Sequence, residues 1–329
     1  MISSTDRCLR FGQNAIILIL LIILTDQVIG RIIRHFYFTQ ESGLYYRTTF
    51  AIDSTNADIL VFGSSRANHH YVPEVFEDSL GLSFYNSGRD GNFLLFNYAV
   101  FKSIVRRYTP KILLFDVNPD ELNYEKTDYE RLSALFPYYK NHNEIRSTVE
   151  LKSPFEKYKL ISEIYPFNSS LITIIIGNLE LNKSRKTDKK GYVPLENQIK
   201  DPLLHKIEPP KNSIDENKMN AISDIIKYCN TNNIRLIFIQ SPMFAIVGKT
   251  TSSEYFEKVA WEKKAIFWNF INDQEFLHNP EYFQDQDHLN DKGAILFSKL
   301  VAQKINDLQT FHPLTLIGSK EMETTSSTK

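Results

Sequence analysis

The sequence predicts an α/β fold of three layers, in which helices cover both faces of a central five-stranded parallel sheet, preceded by an N-terminal transmembrane helix. Five short apolar runs alternate with segments of helical periodicity, which is the pattern of parallel strands joined by crossover helices. Near the N-terminus, residues 15–24 are ten consecutive apolar residues. The chain has 329 residues, of which 42% are hydrophobic, so it can bury the core of one large domain.

Each predicted strand is short and rich in Ile, Leu, Val or aromatic residues, as strands buried on both faces of a sheet are. The predicted strands are residues 58–62, 83–86, 111–117, 235–240 and 265–270. Right-handed crossovers bring the carboxyl ends of parallel strands to one edge of the sheet. We therefore expect the loops near Gly63, Asn86, Asn118 and Ser241 to meet at that edge and to carry the chemistry.

The predicted helices are residues 73–80, 93–108, 215–232 and 291–308. Pro73 suits the first turn of a helix, the second segment has apolar residues at helical spacing, and the third opens with acids and ends in an Asn-rich stretch. Residues 123–212 do not fit this alternation, being rich in Tyr, Lys, Asn and Glu. We interpret them as an insertion over the strand edge; a surface excursion without a functional role is the alternative.

The apolar N-terminal segment predicts an uncleaved signal anchor at residues 14–35. Arg7 and Arg10 precede it, and no Ala-x-Ala-like cleavage site follows it. This topology leaves residues 1–13 in the cytoplasm and the main domain outside it, in the periplasm or at the cell surface. Because Asp26 and Gln27 interrupt the apolar run, an amphipathic helix packed on the domain is the alternative.

The rest of the chain divides into three parts. Residues 36–56 are a connector, residues 57–310 form the α/β domain with its insertion, and residues 311–329 are a Thr- and Ser-rich tail that we expect to be flexible.

Charge and cysteine content exclude several classes of function. The formal net charge is -1, with basic residues spread among acids, so a nucleic-acid partner is not expected. Cys8 and Cys229 are the only cysteines, which excludes a disulfide framework and a cysteine-based metal site. No metal and no cofactor are expected.

Two motifs supply the groups of a serine hydrolytic centre. Gly63-Ser64-Ser65 follows the first predicted strand, and Asp285-x-x-His288 lies just before the last predicted helix. A serine hydroxyl needs an imidazole to take its proton, and the imidazole needs a carboxylate to hold its tautomer. Each motif alone is also typical of an ordinary strand end or helix-capping loop, so their joint occurrence carries the hypothesis that Ser65, His288 and Asp285 act together.

A third segment follows the second predicted strand and runs from Asn86 to Gly91 through Gly88. Its glycines leave backbone N–H groups open to an oxyanion, and donors of this kind contribute roughly 10²–10³ in rate. An ordinary glycine turn between strand and helix is the alternative.

These three segments resemble the SGNH (GDSL-type) hydrolase family over residues 57–120 and 215–309. The family has Gly-Asp-Ser where this chain has Gly63-Ser64-Ser65, so the resemblance implies that Ser65 is the nucleophile, that His288 is the general base and that Asp285 orients it. In the second block an Asn is followed five residues later by the oxyanion glycine. That glycine is Gly91, with Gly88 as the competitor.

The third block departs from the family, which has Gly-x-Asn-Asp where this chain has Asp116-Val117-Asn118-Pro119-Asp120. The resemblance implies oxyanion donors at Ser65 and Gly91, and at Asn118 despite its different offset.

Other polar residues of these segments are candidates for the substrate pocket. They are Ser64, Arg66, His69, Asn86 and Gly88. Arg66 is expected either to pair with an acid such as Asp90 or to hold an anionic substrate.

The serine motif combined with an anchor is similar to membrane-tethered SGNH-like proteins of bacterial envelopes. The resemblance implies a serine-dependent ester hydrolase or O-acyltransferase that acts on an acylated, in particular acetylated, cell-envelope glycan, with envelope-complex proteins as further partners. Two alternatives stay open: a catalytically inactive binding or assembly subunit with this fold, and a lipase or thioesterase.

Overall fold

The computed structural model describes residues 4–179, 181, 189–200, 202–208, 213–263 and 265–311. The α-helices are α1 Ser4–Phe38, α2 Gly43–Asp53, α3 Ser65–His70, α4 Pro73–Leu80, α5 Leu94–Val105, α6 Lys126–Glu130, α7 Arg146–Glu150, α8 Glu156–Lys159, α9 Leu171–Asn178, α10 Glu216–Thr231, α11 Thr251–Lys263, α12 Gln274–Leu277 and α13 Asp291–Phe311. The strands are β1 Ile59–Phe62, β2 Phe84–Asn86, β3 Ile112–Asp116, β4 His205–Ile207, β5 Arg235–Gln240, β6 Ala245–Val247 and β7 Ile266–Asn269. Short 3₁₀ segments are Arg131–Tyr138, Asn143–Ile145, Tyr165–Phe167 and Pro280–Tyr282.

The central sheet confirms the predicted fold class. Its five strands are parallel and lie in the order β2-β1-β3-β5-β7. Successive residues of β1 face opposite sides: Leu60 and Phe62 pack with α5 and α10, whereas Ile59 and Val61 pack with α4 and α13. Helices cover both faces of the sheet, so side chains on both sides of a strand are buried. This explains why the sequence of each strand is a continuous apolar run.

The N-terminal helix is longer than the predicted span. α1 begins at Ser4, inside the segment 1–13, and runs on to Phe38. Residues Asp6–Phe38 form a helix long and apolar enough to cross a membrane, and an 18-residue window within it has a mean hydropathy of 2.4. The side chains from Ile16 to Leu24 are all more than half exposed, and within this stretch Leu21 and Ile22 line a groove with the described part of the domain. The connector contains a helix of its own, α2.

The insertion is divided between two places, which corrects the expectation of one excursion over the strand edge. Its first part packs beside α5 and α1, and Asp26 of α1 accepts hydrogen bonds from Ser162 Oγ at 2.5 Å and Glu163 N at 2.8 Å. Among its described residues, the last part lies at the strand edge, where β4 pairs with β6 in a two-stranded parallel sheet that the sequence did not predict. The predicted tail, apart from Phe311, lies outside the described residues.

Candidate active site

Ser65 stands where β1 turns into α3. Gly63 makes this turn with φ of +145°, and a Cβ atom there would lie 2.7 Å from the Asp116 carbonyl oxygen. Only glycine fits this approach without strain. Ser65 is the first residue of α3, so no helical carbonyl accepts its N–H. Its hydroxyl is half-buried at the carboxyl end of the sheet.

His288 and Asp285 share one tight turn and complete a chain of hydrogen bonds to Ser65. His288 Nε2 lies 2.7 Å from Ser65 Oγ, and His288 Nδ1 lies 2.9 Å from Asp285 Oδ1. The same carboxylate oxygen accepts the backbone N–H of Asp287 at 2.9 Å and of His288 at 3.0 Å. Burial raises the pKa of Asp285, but its hydrogen bonds and the charge of His288 outweigh burial and bring that pKa below its usual value. The carboxylate therefore remains an acceptor for the imidazole.

The two candidate oxyanion glycines, Gly88 and Gly91, lie in the glycine loop that follows β2, and their contacts differ. Gly88 donates its N–H to Asn86 Oδ1 at 2.9 Å, and Asn86 Nδ2 donates to the Ala67 carbonyl at 2.7 Å. Both residues are thus committed to holding the loop against α3, and neither lines the cavity at Ser65, which corrects their assignment to the substrate pocket. Gly91 adopts φ of +63°, and Arg131 Nη1 donates to its carbonyl at 2.6 Å.

Asn118 lines the same cavity as Ser65 and His288. Its backbone N–H and its side-chain Nδ2 donate to Glu121 Oε2 at 2.9 and 2.8 Å. The other carboxylate oxygen of Glu121 accepts the Leu94 N–H at 2.9 Å. Glu121 is buried, which raises its pKa to about 6. Glu121 therefore fixes the orientation of the Asn118 amide and leaves one of its two hydrogens uncommitted.

Arg66 pairs with a different acid from the one expected. Its Nη2 lies 3.5 Å from Asp116 Oδ1 and donates to the Val117 carbonyl at 2.8 Å, so the pairing with Asp90 was wrong. Asp90 instead contacts His69 Nε2 at 3.2 Å. Arg66 and Ser64 both line the Ser65 cavity. The buried guanidinium donates through Nη1 and Nη2 to backbone carbonyls, and its Nε has no hydrogen-bond partner among the described residues.

His69 supports the site from the side instead of lining the cavity as expected. Its Nδ1 lies 2.7 Å from the Val193 carbonyl oxygen, and its ring meets the His288 ring edge to face at 5.6 Å between centroids. Val193 belongs to the last part of the insertion, so His69 links that segment to the catalytic candidates.

His70 is a residue that the sequence analysis missed. It is fully buried, its Nε2 accepts the backbone N–H of Leu289 at 2.9 Å, and its Nδ1 lies 2.9 Å from Ser241 Oγ. The Leu289 contact requires an unprotonated Nε2, so the proton sits on Nδ1. Burial, followed by the nearby His288 and Arg66, holds the pKa of His70 well below its usual value. Neutral His70 thus fixes the backbone next to His288.

This buried histidine predicts an acid-sensitive fold. A depressed pKa in the folded state means that the stabilisation is present above about pH 6.5, the unfolded value, and is lost as the pH falls below it. We expect the free energy of unfolding to fall by about 1–2 kcal/mol more between pH 7.5 and pH 5 in the wild-type chain than in His70→Gln. Urea denaturation in neutral detergent measures this difference, with the exposed His278→Gln as the control. Equal pH dependence in wild type and His70→Gln would contradict it.

The cavity at Ser65 has a volume of about 360 Å³ and is walled by apolar side chains. These are Phe93, Ile207, Met243 and Val247. Asp120 and Asp287 stand at its polar side. Ile207 and Val247 come from β4 and β6, whose three-residue lengths gave no clear periodic signal in the sequence.

Comparisons with known proteins give little further information. No protein-family model and no curated protein matches the sequence. Among solved structures, the chain is similar to a Bacteroides fragilis protein described as a candidate acylhydrolase, at 12% sequence identity and a TM-score of 0.40 over 82% of this chain and 99% of that chain. Both values are low, so this similarity carries no argument about the function of this chain.

Proposed function

We propose that this chain is a serine-dependent acyl ester hydrolase or O-acyltransferase of the SGNH type. Its substrate is an acetyl or another short acyl ester on a cell-envelope glycan, and α1 anchors the domain on the outer side of the cytoplasmic membrane. The observation that carries the proposal is the continuous chain of hydrogen bonds from Asp285 through His288 to Ser65. A carboxylate, an imidazole and a hydroxyl in this order are the parts of an activated nucleophile.

In the first half-reaction, Ser65 Oγ attacks the ester carbonyl carbon while His288 Nε2 takes the hydroxyl proton. Asp285 stabilises the resulting imidazolium through Nδ1–H. The tetrahedral intermediate collapses when the carbon–oxygen bond to the alcohol breaks and His288 returns the proton to the leaving oxygen. In the second half-reaction, water or an acceptor hydroxyl gives its proton to His288 and attacks the acyl-serine carbonyl carbon. The second tetrahedral intermediate collapses when the bond to Ser65 Oγ breaks and His288 returns the proton to that oxygen, which releases the acid or the new ester and restores Ser65.

The oxyanion of both intermediates needs donors that point at the carbonyl oxygen. In the proposal these are the N–H groups of Ser65 and Gly91 and the uncommitted amide hydrogen of Asn118. Two observations support Ser65 and Asn118: Ser65 is the first residue of α3, and Glu121 already holds the Asn118 amide in one orientation. Gly91 is not among the residues that line the cavity at Ser65, and its role rests on the family resemblance alone.

The size of the cavity favours a short acyl group over a long one. Its 360 Å³ lie at the lower end of the roughly 300–1,000 Å³ typical of small-molecule sites. Phe93 and Met243 offer an apolar wall for an acetyl methyl, and the lining also carries Asp120 and Asp287, which suit hydroxyl groups of a sugar. A lipase or thioesterase would need a longer apolar channel.

Labelling with a fluorophosphonate tests whether Ser65 is activated. We expect purified full-length protein in neutral detergent to gain the mass of one phosphonyl group, mapped to Ser65 by peptide mass spectrometry. Ser64→Ala, the matched neighbour, should label like the wild type, whereas Ser65→Ala should not label. Failure of the folded wild type to label would instead favour the binding or assembly subunit.

A further inference from the structure

A second cavity, which the proposed reaction does not use, lies between the end of α1 and the insertion. Its volume is about 390 Å³. Three cationic side chains line it, Arg89, Arg131 and Lys152, and none of the described residues in its wall is acidic. The cations come from three separate segments of the chain: the glycine loop after β2, the 3₁₀ segment Arg131–Tyr138, and the chain after α7. Such a lining selects an anionic ligand.

Arg89 is the most buried of the three cations. It is 6% exposed, its Nη1 donates to Thr48 Oγ1 at 2.7 Å, and its guanidinium lies 5.2 Å from the centre of the Phe96 ring. Its buried Nε has no hydrogen-bond partner, and it forms no ion pair within the part of the chain that the structure describes. A buried cation without a counter-charge is costly. A bound anion would supply the missing partner.

The remaining polar groups of this cavity indicate a phosphate that carries a hydroxyl-bearing group. Neither Arg131 nor Lys152 forms an ion pair with a described residue, and Arg131 donates to the Gly91 carbonyl. A guanidinium matches two oxygens of a phosphate with parallel N–H groups, and a lysine adds a point charge. Asn92 Oδ1, also in the lining, is buried without a donor. It can accept a hydrogen bond from a ligand hydroxyl.

The cavity shares a wall with an apolar groove along the N-terminal helix. Tyr165 and Asn168 line both, and the groove continues over Leu21, Ile22 and Thr25 of α1. The segment that follows also presents apolar side chains beside α1: Ile172 and Ile175 of α9 are 74% and 57% exposed. An anion in the cavity that carries an acyl chain can therefore lay that chain against the membrane helix.

We infer that the cationic cavity binds the phosphate headgroup of an anionic membrane lipid, with the lipid chain in the groove along α1. The inference rests on the proposed membrane placement of α1 and not on catalysis by Ser65. The lipid phosphate accepts hydrogen bonds from Arg89 and Arg131 and lies beside Lys152, while a polyol headgroup hydroxyl donates to Asn92 Oδ1. Arg89 and Arg131 both hold the loop that carries Gly91, so the bound lipid lies directly behind that loop.

Native mass spectrometry of the full-length protein in neutral detergent tests the inference. Phosphatidylglycerol and phosphatidylcholine of equal chain length are titrated separately. We expect phosphatidylglycerol to bind roughly tenfold more tightly, because phosphatidylcholine adds a cation to the same phosphate. Lys152→Ala and Arg131→Gln should each weaken phosphatidylglycerol binding about five- to tenfold and leave phosphatidylcholine unchanged. Lys157→Ala, an exposed cation outside the cavity, should bind like the wild type.

Additional measurements distinguish a lipid phosphate from a free phosphate and distinguish lipid binding from catalysis. Inorganic phosphate at millimolar concentration should not displace phosphatidylglycerol; displacement would show a free-anion site and overturn the lipid assignment. Equal binding of both lipids, or Lys152→Ala binding like Lys157→Ala, would overturn the cavity as the site. Ser65→Ala should retain wild-type lipid binding even if the proposed catalysis fails, and thermal unfolding verifies that each variant is folded.

Discussion

Replacement of His288 by alanine is expected to lower kcat/KM for a short ester such as p-nitrophenyl acetate by roughly 10⁴- to 10⁶-fold. The loss follows from the 2.7 Å contact between His288 Nε2 and Ser65 Oγ, since no other described side chain stands within hydrogen-bond distance of that hydroxyl to take its proton. Asp285→Asn should cost less, roughly 10³- to 10⁴-fold, because the imidazole remains but loses the acceptor that fixes its tautomer.

Steady-state kinetics on detergent-purified full-length protein measures both effects. Groups that act as one unit are non-additive, so Ser65→Ala combined with His288→Ala should be no slower than Ser65→Ala alone. His278→Ala changes an exposed histidine away from the cavity and serves as the matched control. If His288→Ala retained more than about one tenth of wild-type kcat/KM, His288 would not be the general base.

Contacts in the site could be predicted only where the local chain, by itself, determines the relative positions of the side chains. Asp285 and His288 are three residues apart, so one turn brings carboxylate and imidazole together whatever surrounds them. Ser65 follows a buried strand, and the parallel sheet fixes the edge at which it emerges. Arg66 and Asp90 could not be assigned in this way, because their partners, Asp116 and His69, depend on how loops from different strands pack.

Burial explains most of what the sequence analysis missed. His70 reads as one more polar residue after the serine motif, yet it is fully buried and accepts the N–H of Leu289, more than two hundred positions away. Likewise, β4 and β6 are too short for a periodic signal and pair with each other only because the insertion returns to the strand edge. By contrast, the central strands β1, β2 and β3 were predictable since every one of their residues is buried.

Lys218 is a buried lysine of α10 that contacts the loop after β3, which forms part of the cavity wall. It is 1% exposed, its Nζ lies 2.5 Å from Asp128 Oδ2, and it donates to the carbonyls of Glu121 and Asn123 at 2.9 and 2.7 Å. Glu121 in turn orients Asn118. α10 is thus tied through one ammonium group to the loop after β3 that forms a wall of the cavity.

Lys218→Met should destabilise the folded chain by about 3–5 kcal/mol, because it removes the cation that pairs with the buried Asp128 carboxylate and the donor that two backbone carbonyls share. Urea denaturation at pH 7.5 in neutral detergent measures the loss, with Lys227→Met, an exposed lysine of the same helix, expected within about 0.5 kcal/mol of wild type. Removing both charges in Lys218→Met with Asp128→Leu should recover part of the loss, since a buried pair is worth less than its broken half costs. Two results would contradict this role of Lys218: a loss below about 1 kcal/mol for Lys218→Met, or a double variant that is less stable than the single one. Either result would mean that water reaches the ammonium group and that Lys218 does not hold the loop.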